Sequence, residues 1–195
     1  MEDDQIHLNI NTKTISRIAA IQAIYLASIY KVLDDRAYYT KITDNIEELY
    51  SSGEFDDEFV QKNSNIKPKL KINKKLFRQI CEEAILEISI IDDLISTSLS
   101  ANNKFENFHE SMKSILRCAS AELILRSKTI IAAKEGDTEE TLDQKTKSTP
   151  LKVILNEYTT IASELIYDHE VGFINSVLEK INYQIEENAA KVHKA

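Results

Sequence analysis

Three adjacent residues, Asp168, His169 and Glu170, carry side chains suited to holding a metal ion or passing a proton. Neighbours in one turn seldom converge on a point, so the triplet reads as an exposed interhelical turn. The other histidines are no better placed: His7 and His193 lie in tails, and His109 begins a helical stretch. The paired acids Glu82-Glu83 and Asp92-Asp93 point about 100° apart on a helix and do not face each other across a substrate. Cys81 and Cys118 each sit inside an amphipathic run without metal-ligand spacing, and are expected to be reduced core thiols. No GxSxG, HExxH, phosphate-loop or dinucleotide pattern occurs. The chemistry on offer is not catalytic, and no metal or other cofactor is expected.

Charge points to what remains. The formal net charge is -8, so the chain does not coat a polyanion by bulk attraction, and any contact with nucleic acid has to be local. Residues 34–58 hold nine acids (Asp34, Asp35, Asp44, Glu47, Glu48, Glu54, Asp56, Asp57 and Glu58) against Arg36 and Lys41. Residues 60–79 hold Lys62, Lys67, Lys69, Lys71, Lys74, Lys75 and Arg78 with no acid. Such blocks read first as solvated segments that attract each other. The acidic start Met1-Glu2-Asp3-Asp4 is unlike a signal peptide, and no apolar stretch is long enough for a membrane helix. A cytoplasmic protein is expected.

Any such contact needs a scaffold. At 195 residues the chain fits one domain with its own core. Only 3 Gly and 2 Pro occur, which favours long helices over the many turns of a strand-rich fold. Apolar spacing predicts a helix over 12–32, capped by Thr12 or Thr14. Ile15, Ile18, Gln22, Tyr25, Leu26 and Ile29 form its expected core side; Lys13, Arg17, Ala20, Ile24, Ala27 and Lys31 form the other. Cations among small residues suit close approach by a phosphate backbone or by another helix.

A short helix over 41–50 and a mobile connection over 51–71 follow. From Asn73, the run Leu76, Phe77, Ile80, Ala84, Ile88, Ile91, Leu94 and Ile95 predicts one central helix of about seven turns. A second long helix, over 105–127, carries Phe105, Phe108, Met112, Ile115, Leu116, Ala119 and Leu123 on its stripe. Residues 128–148 break the pattern and predict an inserted loop. Thr149-Pro150 reads as N-cap and first position of a helix reaching about Tyr167. A last helix, near 170–187, presents Phe173, Ile174, Val177, Leu178, Ile181 and Ile185. The expected fold is an all-α bundle of about six or seven helices in a single domain over 1–195. It has an N-terminal half at about 12–50 and a C-terminal half at about 72–187, and packing supplies its stability.

Several segments carry a resemblance. Residues 16–25, Ser-Arg-Ile-Ala-Ala-Ile-Gln-Ala-Ile-Tyr, resemble the opening helix of NusB proteins, where a basic stretch leads into Ala-x-Gln-Ala-Leu-Tyr. Ile115-Leu116-Arg117-Cys118-Ala119 through Glu122-Leu123 is similar to the family's Leu-Arg-x-Ala-x-x-Glu-Leu. Residues 149–157, Thr-Pro-Leu-Lys-Val-Ile-Leu-Asn-Glu, match Pro-x-Lys-Val-x-Ile-Asn-Glu, and residues 172–180 resemble Lys-Phe-Val-Asn-Gly-Val-Leu-Asp-Lys.

The resemblance implies an all-helical fold of two small subdomains and a non-enzymatic role in transcription antitermination. It implies binding of boxA RNA in ribosomal RNA leaders. It also implies a heterodimer with NusE, a ribosomal protein through which the chain reaches the elongation complex; a homodimer is left open. Carried over, the family's RNA-contact segments point to Lys13, Arg17 and Phe173. The family commonly has three or four Arg where this chain has Lys13-Thr14-Ile15-Ser16-Arg17, and Gly172 stands for a frequent Lys. Each missing phosphate contact reduces the salt slope by roughly 0.7 for a single strand, so NusE is expected to matter more. The grip requires Lys13, Arg17 and Phe173 to share one surface. Asn156 and Glu157 are expected to be structural, near Arg117, and the basic run 62–78 is a candidate second phosphate patch. Two further readings are a NusE-binding scaffold without RNA recognition, and the NusB-like leading domain of ribosomal RNA methyltransferases. A chain ending at Ala195 has no room for the latter's catalytic domain.

Overall fold

The computed structural model describes residues 11–52, 71–134, 148–166 and 168–192. Residues 53–70 of the expected connection and 135–147 of the expected insertion lie outside them. The described residues form seven α-helices and no strand: α1 (Thr12–Ile29), α2 (Arg36–Ser52), α3 (Lys74–Leu86), α4 (Ile88–Ser98), α5 (Glu110–Lys134), α6 (Leu151–Leu165) and α7 (Asp168–Val192). A 3-10 turn, Phe105–Asn107, leads into α5. None of these helices is long and apolar enough to cross a membrane.

At the centre is α5, with α1, α3, α4, α6 and α7 packed around it. Every side chain from Ser114 to Ile124 is buried. A helix covered on all sides shows no single stripe, so the expected apolar spacing found only part of its core. The small run Cys118, Ala119, Ser120 and Ala121 lets the neighbouring helices come close. The helix also continues to Lys134, where a loop was expected from 128.

The largest correction concerns α1, whose buried residues are Ile15, Ser16, Arg17, Ala19, Ala20, Ile21, Ala23, Ile24 and Ala27. Much of the expected core side is outward: Gln22 is exposed, as are Tyr25 (39%) and Ile29 (49%). Small residues decide the rotation, because Ala19, Ala20, Ala23 and Ala27 allow α1 to lie against α3 and α5. Gln22, expected in the core, accepts a hydrogen bond from the Tyr50 hydroxyl at 2.9 Å. The helix is capped by Asn11, which accepts from the Lys13 amide, rather than by Thr12 or Thr14. It closes with paired bonds, Val32 N–H to Ala27 O and Lys31 N–H to Ser28 O, that place Lys31 at φ 57°.

Asp35 starts α2 earlier than expected by accepting from the Tyr38 amide at 3.0 Å. The expected central helix is two helices, parted at Glu87 (φ -107°, ψ 20°). β-branched Ile85, Ile88, Ile90 and Ile91 crowd this joint and weaken continuous helix. The break lets α3 pack on α1 and α5 while α4 turns towards α7. Lys128 braces it, reaching Glu83 at 2.7 Å and Glu87 at 2.8 Å. At α6 the cap residue is Pro150, one position later than expected; its carbonyl accepts from Val153 and Ile154.

Candidate nucleic-acid interface

Arg17 lies inside the bundle at 1% exposure, so the expected cationic side of α1 faces the core at this residue. Its Nε and Nη2 donate to the two oxygens of Glu122 on α5, at 2.8 and 2.6 Å, and its Nη1 donates to Glu157 on α6 at 3.2 Å. The Tyr158 ring lies 6.0 Å away. Burial alone would lower the guanidinium pKa, but the Glu122 hydrogen bond and charge outweigh it and hold the group above its ordinary value. Such an arginine does not reach a phosphate without abandoning two carboxylates. Glu157 is structural as expected, but its partner is Arg17; Asn156 is exposed. Arg117 instead forks onto Asp92 of α4 at 2.8 and 2.8 Å, bonds Ser28 at 3.0 Å, and covers the Phe105 ring at 5.3 Å.

Above the Arg17 network lies a groove of about 180 Å³ lined by Lys13, Asn73, Lys75, Glu122, Arg126 and Thr149, among others. Lys13 belongs to the first turn of α1, Asn73 caps α3, and Ser148 and Thr149 precede α6. Residues at or just before three helix N-termini therefore line one groove, where the positive ends of the helix dipoles favour negative charge; the Lys13 amide there is bound by Asn11 and the Leu76 amide by Asn73. Lys13 is exposed, and Arg126 is held by Glu186 at 3.4 Å.

Phe173 is elsewhere. Its ring is half-buried and meets Phe108 edge-on at 5.5 Å; Phe108 meets Phe105 at 6.1 Å. Phe108 precedes α5, whereas the groove is formed by α5 residues Glu122, Leu125, Arg126 and Thr129. The groove residue Arg126 holds Glu186, and along α7 Phe173 is about 20 Å from Glu186 at 1.5 Å rise per residue. Lys13, Arg17 and Phe173 thus do not share one surface, and the grip expected of the three together is not formed.

Within the basic run, Lys74 and Arg78 are bound by Glu47 of α2, and Arg78 also meets Asp44. The expected attraction of acidic and basic blocks is realised at these pairs, while Lys62, Lys67 and Lys69 lie outside the described residues. The side chains of Asp168 and His169 lie outside them too; among the described residues no cluster of three metal-ligating side chains occurs. Glu82 is exposed while Glu83 is buried against Lys128, and Cys81 and Cys118 are buried free thiols.

Glu122, Ser16 and Asn73 are site residues not singled out from the sequence; for Glu122 the signal was that Arg17 and Glu122 are lone charges within runs of small and apolar residues, as buried partners are.

The sequence model of the NusB family matches residues 14–133, more than half of the chain. The chain is 31% identical over 172 residues to the transcription antitermination protein NusB of Rickettsia typhi, covering 88% of this chain and 92% of that protein. It is 28% identical over 172 residues to NusB of Rickettsia massiliae, with the same two coverages. Against NusB of Rickettsia bellii it is 29% identical over 177 residues, 90% of this chain and 92% of that protein.

Proposed function

The chain belongs to the NusB family of non-enzymatic transcription antitermination proteins, and on that footing we propose that it holds single-stranded boxA RNA at the groove and takes NusE as its protein partner. The carrying observation is the convergence of three helix N-termini with Lys13, Lys75 and Arg126 on one groove of an otherwise acidic chain. Backbone amides and helix dipoles attract phosphate without lysine or arginine, which offsets part of the missing N-terminal arginine run. In this reading Lys13 meets a phosphate, Arg17 fixes the helices beneath, and the half-buried Phe173 ring is a second anchor farther along an extended strand.

The NusE side of the proposal rests on the outer face of α1. Tyr25 and Ile29 are exposed one turn apart, with Ile18 and Leu26 half-buried beside them. Large apolar side chains on the outside of a buried helix are the kind of surface a protein partner covers.

The test is a titration of labelled boxA RNA at several salt concentrations, with and without NusE. Expected are weak binding by the chain alone, tighter binding with NusE, and a slope of log affinity against log salt that falls by about 0.7 in Lys13→Ala. A chain that binds NusE but no RNA would leave the scaffold reading in its place.

A further inference from the structure

One turn of α1 fastens the helices whose N-termini open on the groove. Thr14 donates its hydroxyl to Glu157 of α6 at 2.6 Å. Ser16, fully buried, accepts from the backbone amide of Asn73 at 2.7 Å and donates to Thr12 O, also at 2.7 Å. Asn73 in turn caps α3, its side chain accepting from the Leu76 amide at 3.0 Å. Arg17 completes the set through Glu122 and Glu157.

We infer that Thr14 and Ser16 are positioning residues for RNA binding: the Ser16 hydroxyl fixes the start of α3 and the Thr14 hydroxyl fixes Glu157 of α6 against the first turn of α1, so that Lys13 and the three helix starts face a phosphate strand together. The inference rests on the groove being the RNA site. Ser16 has no exposed surface and does not touch a ligand itself. A hydroxyl is favoured at that point, because the chain turns into α3 there with the Asn73 amide donating to α1, and an aliphatic residue would leave a part-buried donor unpaired. Preorganised donors bind more tightly because their ordering cost is met on folding.

The experiment uses the full chain with NusE and labelled boxA RNA. Ser16→Ala and Thr14→Val are each expected to weaken RNA binding about five-fold, the loss of roughly one hydrogen bond. The salt slope should match wild type, since no phosphate contact is removed, and Thr14→Ser should restore affinity. Amide hydrogen exchange in the RNA-free variants should quicken in the first turns of α3 for Ser16→Ala and of α1 for Thr14→Val. Should Ser16→Ala fail to fold, the Thr14→Val and Thr14→Ser pair decides. Wild-type RNA affinity in folded variants, a slope that falls with affinity, or unchanged exchange overturns the inference. Absence of RNA binding by wild type refutes the groove reading instead, and the exchange data then judge the positioning role alone.

Discussion

Arg17 and Glu122 form a two-pronged ion pair at 2.8 and 2.6 Å between α1 and α5, with side-chain exposures of 1% and 3%. Two charges taken out of water this completely depend on each other, and removing one leaves the other uncompensated. Arg17→Ala should therefore cost about 3–5 kcal/mol of folding stability, read from urea unfolding. Arg17→Lys should cost less, but still be visible, because an ammonium cannot match the fork. A loss in Arg17→Ala no larger than that of an exposed substitution would mean that the pair does not hold α1.

The fold class was legible because helical apolar spacing and scarce Gly and Pro survive any packing. The rotation of α1 was not, since alanines count as weakly apolar in a periodicity argument yet decide how closely two helices approach. For the same reason the all-round burial of α5 showed as a stripe. At the site, the sequence does not tell the exposed Lys13 from the buried Arg17, because an arginine in a basic-looking segment does not announce that a glutamate 105 residues away has claimed it. The groove itself could not be read, because it is made of helix starts that adjoin only in the folded chain.

Lys31 closes α1 in the left-handed region, where its Cβ is crowded, at φ 57°. Glycine takes that conformation freely, at the expense of a more disordered unfolded chain. Lys31→Gly is expected to raise stability by about 0.5–1 kcal/mol, measured as a higher urea midpoint. A lower midpoint would show that the lysine side chain supplies more than the backbone strain costs.

Four buried acids set the alkaline limit. Burial pushes the Cys81 thiol up to about 12 and lifts Cys118, Tyr39 and Tyr158 well above their ordinary values. Unfolded, these groups lose protons near about 8.5 for a thiol and about 10 for a phenol. The folded state then holds more protons than the unfolded one, so the stability they contribute is full below those values and is lost as pH rises through them. Urea midpoints should fall steadily between about pH 8 and about pH 11, and native Cys81 and Cys118 should resist thiol reagents until the chain unfolds. A flat profile with fast native labelling would contradict the burial.

On the outer face of α1, Ile29 is half-exposed. Ile29→Glu should leave the melting temperature within a degree or two and weaken NusE binding about ten-fold or more, as loss of a central apolar contact does. Titration calorimetry with NusE reads the effect. Sedimentation of the chain alone tests the alternative occupant: a dimer that the substitution dissociates would assign this face to a second copy, and unchanged NusE affinity would remove NusE from it.

At Phe173 the packing role and the proposed RNA-stacking role are confounded by one substitution and separated by two. Its half-buried ring packs on Phe108 at 5.5 Å, so Phe173→Ala should cost about 1–2 kcal/mol, less than full burial would. Phe173→Leu keeps most of the apolar contact and should stay within about 1 kcal/mol of wild type. Leucine, however, offers no face for a base to stack on, and stacking on an aromatic ring typically contributes about 1–3 kcal/mol. If the ring is the second RNA anchor, Phe173→Leu binds boxA RNA about ten-fold more weakly in the presence of NusE while melting normally. If Phe173→Leu binds RNA as wild type does, the ring belongs to the aromatic cluster with Phe105 and Phe108, and the RNA is held at the groove alone.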